Sequence, residues 1–85
     1  MFYVYVLQSK VDKSTYVGYT NNLKRRFVEH NSGQNISTKR LAPYELIYYE
    51  AFREEGDAKE REQHLKLYGR TLRELKKRIT RSLTR

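Results

Sequence analysis

Residues 2–8 (Phe-Tyr-Val-Tyr-Val-Leu-Gln) repeat with a period of two and are mostly aromatic or β-branched, which predicts a strand. Phe2, Val4 and Val6 fall on one face, Tyr3, Tyr5 and Leu7 on the other. A polar stretch at 9–14 turns the chain into a second strand at 15–20, so the pair reads as an antiparallel hairpin. Gly18 lies inside that strand, where glycine marks a bulge or the close approach of another group. The period then lengthens. Leu23, Phe27 and His30 follow helical spacing behind a candidate N-cap, Asn21 or Asn22, with the helix running to about Asn31 and Gly33 as its stop. Residues 34–43 are polar and read as a loop. Residues 44–52 alternate again, Tyr44, Leu46 and Tyr48 against Glu45, Ile47 and Tyr49, and form a third strand. Asp57 with Glu60 fits a capping-box variant that opens a helix ending near 68–69. Thr71 with Glu74 repeats the pattern, and Leu72, Leu75, Ile79 and Leu83 mark one stripe of a last helix at about 71–83.

The expected order is β-β-α-β-α-α, an α+β fold in one domain over residues 1–85. It argues against a double-stranded-RNA-binding domain, which starts with a helix, and against a homeodomain, which has no strands. The RNP1 signature of an RNA-recognition domain is missing too.

Charge narrows the partner. The 85 residues carry a formal charge of +8, with eight tyrosines, no tryptophan and no cysteine. The absence of cysteine excludes a disulfide scaffold, a cysteine zinc finger and a thiol nucleophile. Two histidines are too few for a His-rich metal site. No apolar run approaches the roughly 20 residues of a membrane span. Residues 1–7 lack the basic region and cleavage site of a signal peptide, so the expected location is cytoplasmic. A strongly basic domain calls for a polyanion, nucleic acid first. A membrane surface is the weaker reading, because the apolar stripe of the last helix is needed for the core.

The charge is unevenly spread. Residues 50–62 hold six acids against three bases, whereas residues 66–85 hold eight bases against Glu74 alone. Lys24, Arg25, Lys39, Arg40, Lys66, Arg73, Lys76, Lys77 and Arg81 are the candidate phosphate contacts. Such a surface grips backbone without reading bases, so structure or strandedness should matter more than sequence.

One set of residues has the makings of phosphodiester chemistry. That reaction needs a base for the attacking water, a cation for charge building on phosphorus, and an oxygen ligand for a metal. Tyr5 and Tyr16 lie on the hairpin, Arg26 and His30 one turn apart on the following helix, and Glu62 on the acidic helix. Arginine suits the phosphate because its planar fork is bidentate and permanently charged. A single glutamate suffices for magnesium when substrate phosphates complete the shell. Each residue also has a plainer reading: Arg26 as one more surface charge, His30 as a satisfied helix histidine, Glu62 as the partner of Lys66 four residues on.

Tyr3-Val4-Tyr5 followed by Tyr16-Val17-Gly18 resembles the paired motifs that name the GIY-YIG nucleases. Residues 20–31, 38–46 and 58–66 resemble further blocks of the compact single-domain bacterial (UPF0213-like) members, so the likeness covers nearly the whole chain. It implies a three-stranded antiparallel sheet flanked by helices and a metal-dependent endonuclease, using Mg2+ or Mn2+, that acts in DNA repair. DNA is expected ahead of RNA, with a homodimer or a partner protein for targeting. Carried over residue by residue, it implies that Tyr5 and Tyr16 activate or position the attacking water. Arg26 then contacts the scissile phosphate, His30 shares the base role, and Glu62 binds the metal, with Glu60 as the neighbouring candidate.

Three positions depart from the family pattern. Tyr3 stands where the first motif has glycine, Tyr19 where the excision-repair branch has a lysine, and no asparagine follows the glutamate helix as in some members. The alternative function is therefore a nucleic-acid-binding module without efficient turnover.

Overall fold

The structure is a computed structural model, and it describes residues 1–84. Its elements are β1 (Phe2–Ser9), β2 (Thr15–Thr20), α1 (Leu23–Asn31), a 3-10 turn (Lys39–Leu41), β3 (Tyr44–Phe52), α2 (Glu55–Leu67), α3 (Gly69–Arg78) and α4 (Thr80–Thr84). The strands form one antiparallel sheet in the order β2-β1-β3.

Putting β1 in the middle explains its composition. Val4, Tyr5, Val6 and Leu7 are all buried, because both faces of the strand are covered. Val4 and Val6 join Val17 of β2, Ala58 and Leu65 of α2 and Leu75 of α3 in one core. Tyr5 and Leu7 join Tyr44 in a second, covered by Leu23 and Phe27 of α1 and by Leu41. The alternation expected for residues 2–8 holds.

The alternation expected for residues 44–52 does not. The β1–β3 register shifts between Val6, opposite Tyr48, and Leu7, opposite Leu46, so Ile47 is an extra residue on β3. A bulge of this kind resets the phase of the strand. Ile47 and Tyr48 both pack on the α2/α3 side. Leu46 packs on the α1 side, and Tyr49, opposite Tyr5, follows it there. Tyr48 thus lies on the face opposite to Tyr44 and Leu46, against the simple period-two reading.

The helix starts also differ from expectation. Asn22 is the N-cap of α1, accepting from Arg25 N at 3.1 Å, and Gly33 takes a left-handed φ of 78° just past the helix. On α2, however, the N-cap is Glu54 with no side-chain capping bond, and Asp57 lies inside the first turn rather than at the cap. Asp57 still favours the helix there, because a carboxylate near the N-terminus complements the helix dipole. Tyr68, extended at φ −113° and ψ 100°, closes α2 and opens α3, so Thr71 is likewise already helical. The last helix is broken at Ile79, whose N–H reaches back to Lys76 O at 3.2 Å, and α4 follows.

Candidate active site

The β1–β2 turn and α1 aim the site residues. Ser9, fully buried, donates to Leu41 O at 2.6 Å and accepts from Val11 N at 3.0 Å, tying the hairpin to the segment before β3. At the far end of α1, the Asn31 carboxamide donates to Tyr44 O at 3.0 Å and accepts from Tyr44 N at 2.6 Å. That two-point clasp sets the residue before it, His30, against the sheet.

His30 is fully buried and fully bonded. Its Nε2 lies 2.8 Å from the Tyr5 hydroxyl and its Nδ1 2.8 Å from Thr38 Oγ1. Thr38 donates to Asn35 O at 3.4 Å, so its oxygen is left to accept from Nδ1–H, and Nε2 accepts from Tyr5. Burial, and then the Arg26 charge, hold the imidazole below its ordinary pKa, with Glu29 opposing. His30 is therefore neutral at pH 7 and keeps a lone pair facing the phenol.

Tyr5 crosses over Gly18 to reach it. A Cβ at Gly18 would overlap the Tyr5 hydroxyl and Cζ and come within 2.8 Å of Cε1. This is the close approach that a glycine within the second strand implied. Burial pushes the Tyr5 phenol up to about 12; the Arg26 guanidinium beside it pulls the other way, and Tyr16 and Glu62 add to the rise. Arg26 is half-buried, its Nη1 donating to Glu29 Oε1 at 3.0 Å, and hydrogen bonding to Tyr5 and to Glu29 pushes its own pKa up. It stays a cation.

Tyr16 is half-buried, with its ring centroid 5.0 Å from that of His30. Across its ring, 5.5 Å from the centroid, lies the Lys66 ammonium of α2, which also pairs with Glu62 Oε2 at 3.3 Å. The i,i+4 pair anticipated for Glu62 is thus formed, and it stands at the mouth of the site. The Glu62 side chain is 23% exposed, and its charge is felt at Tyr5. Glu60 is exposed. Tyr19, at the position of the family lysine, donates to Glu55 Oε2 at 2.6 Å, and that bond pushes its phenol up to about 12. Tyr19 and Glu55 share with Arg26 a polar cleft of about 320 Å³.

Tyr5, Tyr16, Arg26 and His30 therefore converge, and Glu62 reaches them through Lys66. The basic residues do not form one patch. Lys24 and Arg25 lie on α1, with Arg25 3.8 Å from Glu29, and Lys39 and Arg40 are exposed on the 3-10 turn. Arg73, Lys76 and Lys77 sit on α3, across the sheet, with Lys77 3.6 Å from Glu74, and Arg81 is exposed on α4. Two participants escape sequence reasoning. Thr38, the partner of His30, lies in a stretch that reads as an undifferentiated polar loop. Lys66, expected as a phosphate contact and as the partner of Glu62, also lies over Tyr16.

A divalent ion is the further group that the family implies. Among the described residues no three His, Cys, Asp or Glu side chains gather to cage one. Glu62 offers a hard oxygen ligand beside the tyrosines, which fits an ion held mainly by water and substrate phosphates, as magnesium is.

Comparison with known proteins bears on the family and the fold. The model of the GIY-YIG catalytic domain matches residues 1–78. UPF0213 protein CPE1444 of Clostridium perfringens is 42% identical over 67 residues, 78% of this chain and 71% of that protein. UPF0213 protein NP_0776A of Natronomonas pharaonis is 40% identical over 73 residues, 85% of each. The solution NMR structure of UPF0213 protein BH0048 from Bacillus halodurans superposes with a TM-score of 0.55 at 35% identity, covering 88% of this chain and 81% of that one. The chain belongs to the GIY-YIG family, a nuclease superfamily.

Proposed function

We propose that this protein is a metal-dependent endonuclease that hydrolyses phosphodiester bonds in DNA, selecting by structure rather than by sequence. The observation that carries the reading is the buried Tyr5–His30 pair with Arg26 against it. Water oxygen attacks phosphorus while the bond to the leaving deoxyribose oxygen breaks, and that oxygen takes a proton from solvent. Arg26 lies where it can take the charge that builds on the phosphoryl oxygens. A phenol raised to about 12 is scarcely ionised at neutral pH, so Tyr5 is no free phenolate base. It works as a relay: the proton of the water passes to Tyr5 Oη as the hydroxyl proton of Tyr5 passes to His30 Nε2. Tyr16 fixes the water from the open side. A divalent ion at Glu62, when bound, supplies further charge stabilisation, and Glu62 must first release Lys66.

The test is cleavage of branched, flapped and single-stranded DNA with Mg2+ by the wild type, Arg26→Ala and Glu62→Ala. Loss of a transition-state donor costs on the order of 10²- to 10³-fold in rate, which is the expectation for Arg26→Ala. Equal cleavage by all three proteins overturns the assignment. The raised Tyr5 phenol and the tyrosine at position 19 favour one other reading, a binding module with little turnover. It predicts salt-sensitive binding that survives Glu62→Ala, with no cleavage under Mg2+ or Mn2+.

A further inference from the structure

A cleft of about 530 Å³ opens on the α1 side of the sheet, between the start of α1 and β3. Its walls are Tyr3, Tyr49, Phe27 and Leu46, and Asn21 and Lys24 stand at its rim. The β3 bulge creates it, by bringing Tyr49 onto the same face as Leu46. Tyr3 and Tyr49 meet edge to face, ring centroids 6.0 Å apart and planes at 66°, and Tyr49 is 52% exposed.

Its tyrosines differ from those bonded elsewhere. Tyr5, Tyr19 and Tyr48 spend their hydroxyls on His30, Glu55 and Glu50. Among the described residues, the hydroxyls of Tyr3 and Tyr49, the Asn21 carboxamide and the Lys24 ammonium bond to nothing. None of the residues lining the cleft is acidic, whereas the neighbouring clefts contain Glu29 and Glu55. Aromatic walls, unspent donors at the rim and a positive, acid-free lining match a flat heteroaromatic group on a polyanion. A volume of this order lies within the range of ligand-sized pockets.

Asn21 lines both this cleft and the polar cleft that contains Arg26. We infer that the Tyr3–Tyr49 groove receives one unpaired nucleobase of the strand whose phosphate lies at Arg26, which makes nucleic acid with a single-stranded segment the substrate class. A base within a duplex enters a side groove only once it is unpaired and unstacked, which an already single-stranded base is spared. The inference rests on the nuclease reading of the Arg26 site.

The experiment is fluorescence anisotropy in EDTA, where no metal-dependent cleavage occurs, with three labelled DNA probes: a short single strand, the same strand with abasic sites, and a blunt duplex. Base–aromatic stacking is sequence-tolerant and worth about tenfold in affinity per base. The wild type binds the single strand about tenfold more tightly than the abasic strand. Tyr49→Thr, which keeps a strand-favouring residue, removes that difference and leaves duplex binding unchanged. Tyr49→Phe retains it.

Equal binding of the intact and abasic strands by the wild type overturns the inference. So does undiminished single-strand binding by Tyr49→Thr, checked as folded by circular dichroism. If Tyr49→Thr instead dissociates a dimer without touching single-strand binding, the groove is an interface between copies and the inference also falls. The two readings fail separately. A protein that cleaves with Mg2+ but shows no base dependence loses the groove. One that never cleaves yet binds bases through Tyr49 loses the nuclease assignment.

Discussion

The two faces of β1 do different work. Toward α2 and α3 the strand shows Val4 and Val6, packed on Ala58, Leu65 and Leu75, with polar contacts at the rims, where Arg61 holds Glu50 at 2.9 Å and Tyr19 donates to Glu55 at 2.6 Å. Toward α1 it shows Tyr5 and Leu7, and there the interior contains a hydrogen-bonded chain, Tyr5–His30–Thr38. Apolar packing is non-directional and tolerates small shifts. A buried hydrogen-bond chain holds one geometry or loses its partners. One face therefore stabilises the sheet, and the other spends stability to hold a neutral imidazole against a phenol.

The largest stability effect belongs to the apolar face. Leu65→Ala should destabilise the protein by about 2–5 kcal/mol, as for other buried leucines, read from urea unfolding. The folded fraction should keep the single-strand and metal-dependent behaviour of the wild type. If cleavage per folded molecule collapses along with stability, the division between the faces is false.

Gly18→Ala presses on the other face. Here the added methyl meets Tyr5, and overpacking of this kind costs about 1–3 kcal/mol. Because Tyr5 must swing off His30 to make room, cleavage should fall far more than stability, the reverse of Leu65→Ala. An alanine variant with wild-type rates would show that the Tyr5–His30 contact is not used.

How much of this was legible in the sequence follows the same division. The apolar face announces itself, because burial on one side of a strand and one stripe of a helix leaves a periodic trace; Val4, Val6, Leu72 and Leu75 all sit where their spacing puts them. The phase of β3 does not, because a bulge is a property of two strands in register and Ile47 carries no local mark of being the extra residue. Tyr5, Tyr16, Arg26 and His30 are singled out by the chemistry they could share and then by motif likeness; periodicity places only Tyr5, on a strand face, and His30, as a helix position. Thr38 was not found at all, since a buried threonine in a polar segment looks like any loop threonine until its partner across the fold is known. The capping-box pattern at Asp57 misled because a carboxylate is favourable throughout a first turn, not only at the cap, and the one at Thr71 because Tyr68 already caps α3.

Thr38→Val is the finer probe of the polar face. It keeps the shape of the side chain but leaves His30 Nδ1 buried without a partner, a cost of about 1–3 kcal/mol. The same buried imidazole sets a pH dependence. Its folded pKa lies below the unfolded value near 6.5, so the unfolded chain takes up the proton first. That contribution to stability is whole above the unfolded value and is lost as pH falls through it toward the folded one. Cleavage should lose its acceptor at Nε2 over the lower part of that range. Unfolding curves and rates measured from pH 8 downward test both. Leu65→Ala should show the same pH slope as the wild type, and His30→Gln should flatten it.

The smallest expected effect concerns how α1 is held. No buried aliphatic comes from α1 itself; its only buried residue is His30. Beyond the half-buried Leu23 and Phe27, its position depends on the Asn31 clasp on Tyr44 at one end, and its first turn on the Asn22 cap on Arg25 N at the other. Asn22→Ala should cost about 1 kcal/mol, the usual worth of an N-cap. Fraying there loosens the turn that carries Arg26 and the rim residue Lys24, while His30, two turns on, stays clasped through Asn31. The variant should therefore bind DNA less tightly and cleave it more slowly, yet keep the acid limb of the wild type, because the Tyr5–His30 pair is undisturbed. A shifted acid limb in Asn22→Ala would mean that the two ends of α1 move together, and that the cap, rather than the Asn31 clasp, holds the imidazole in place.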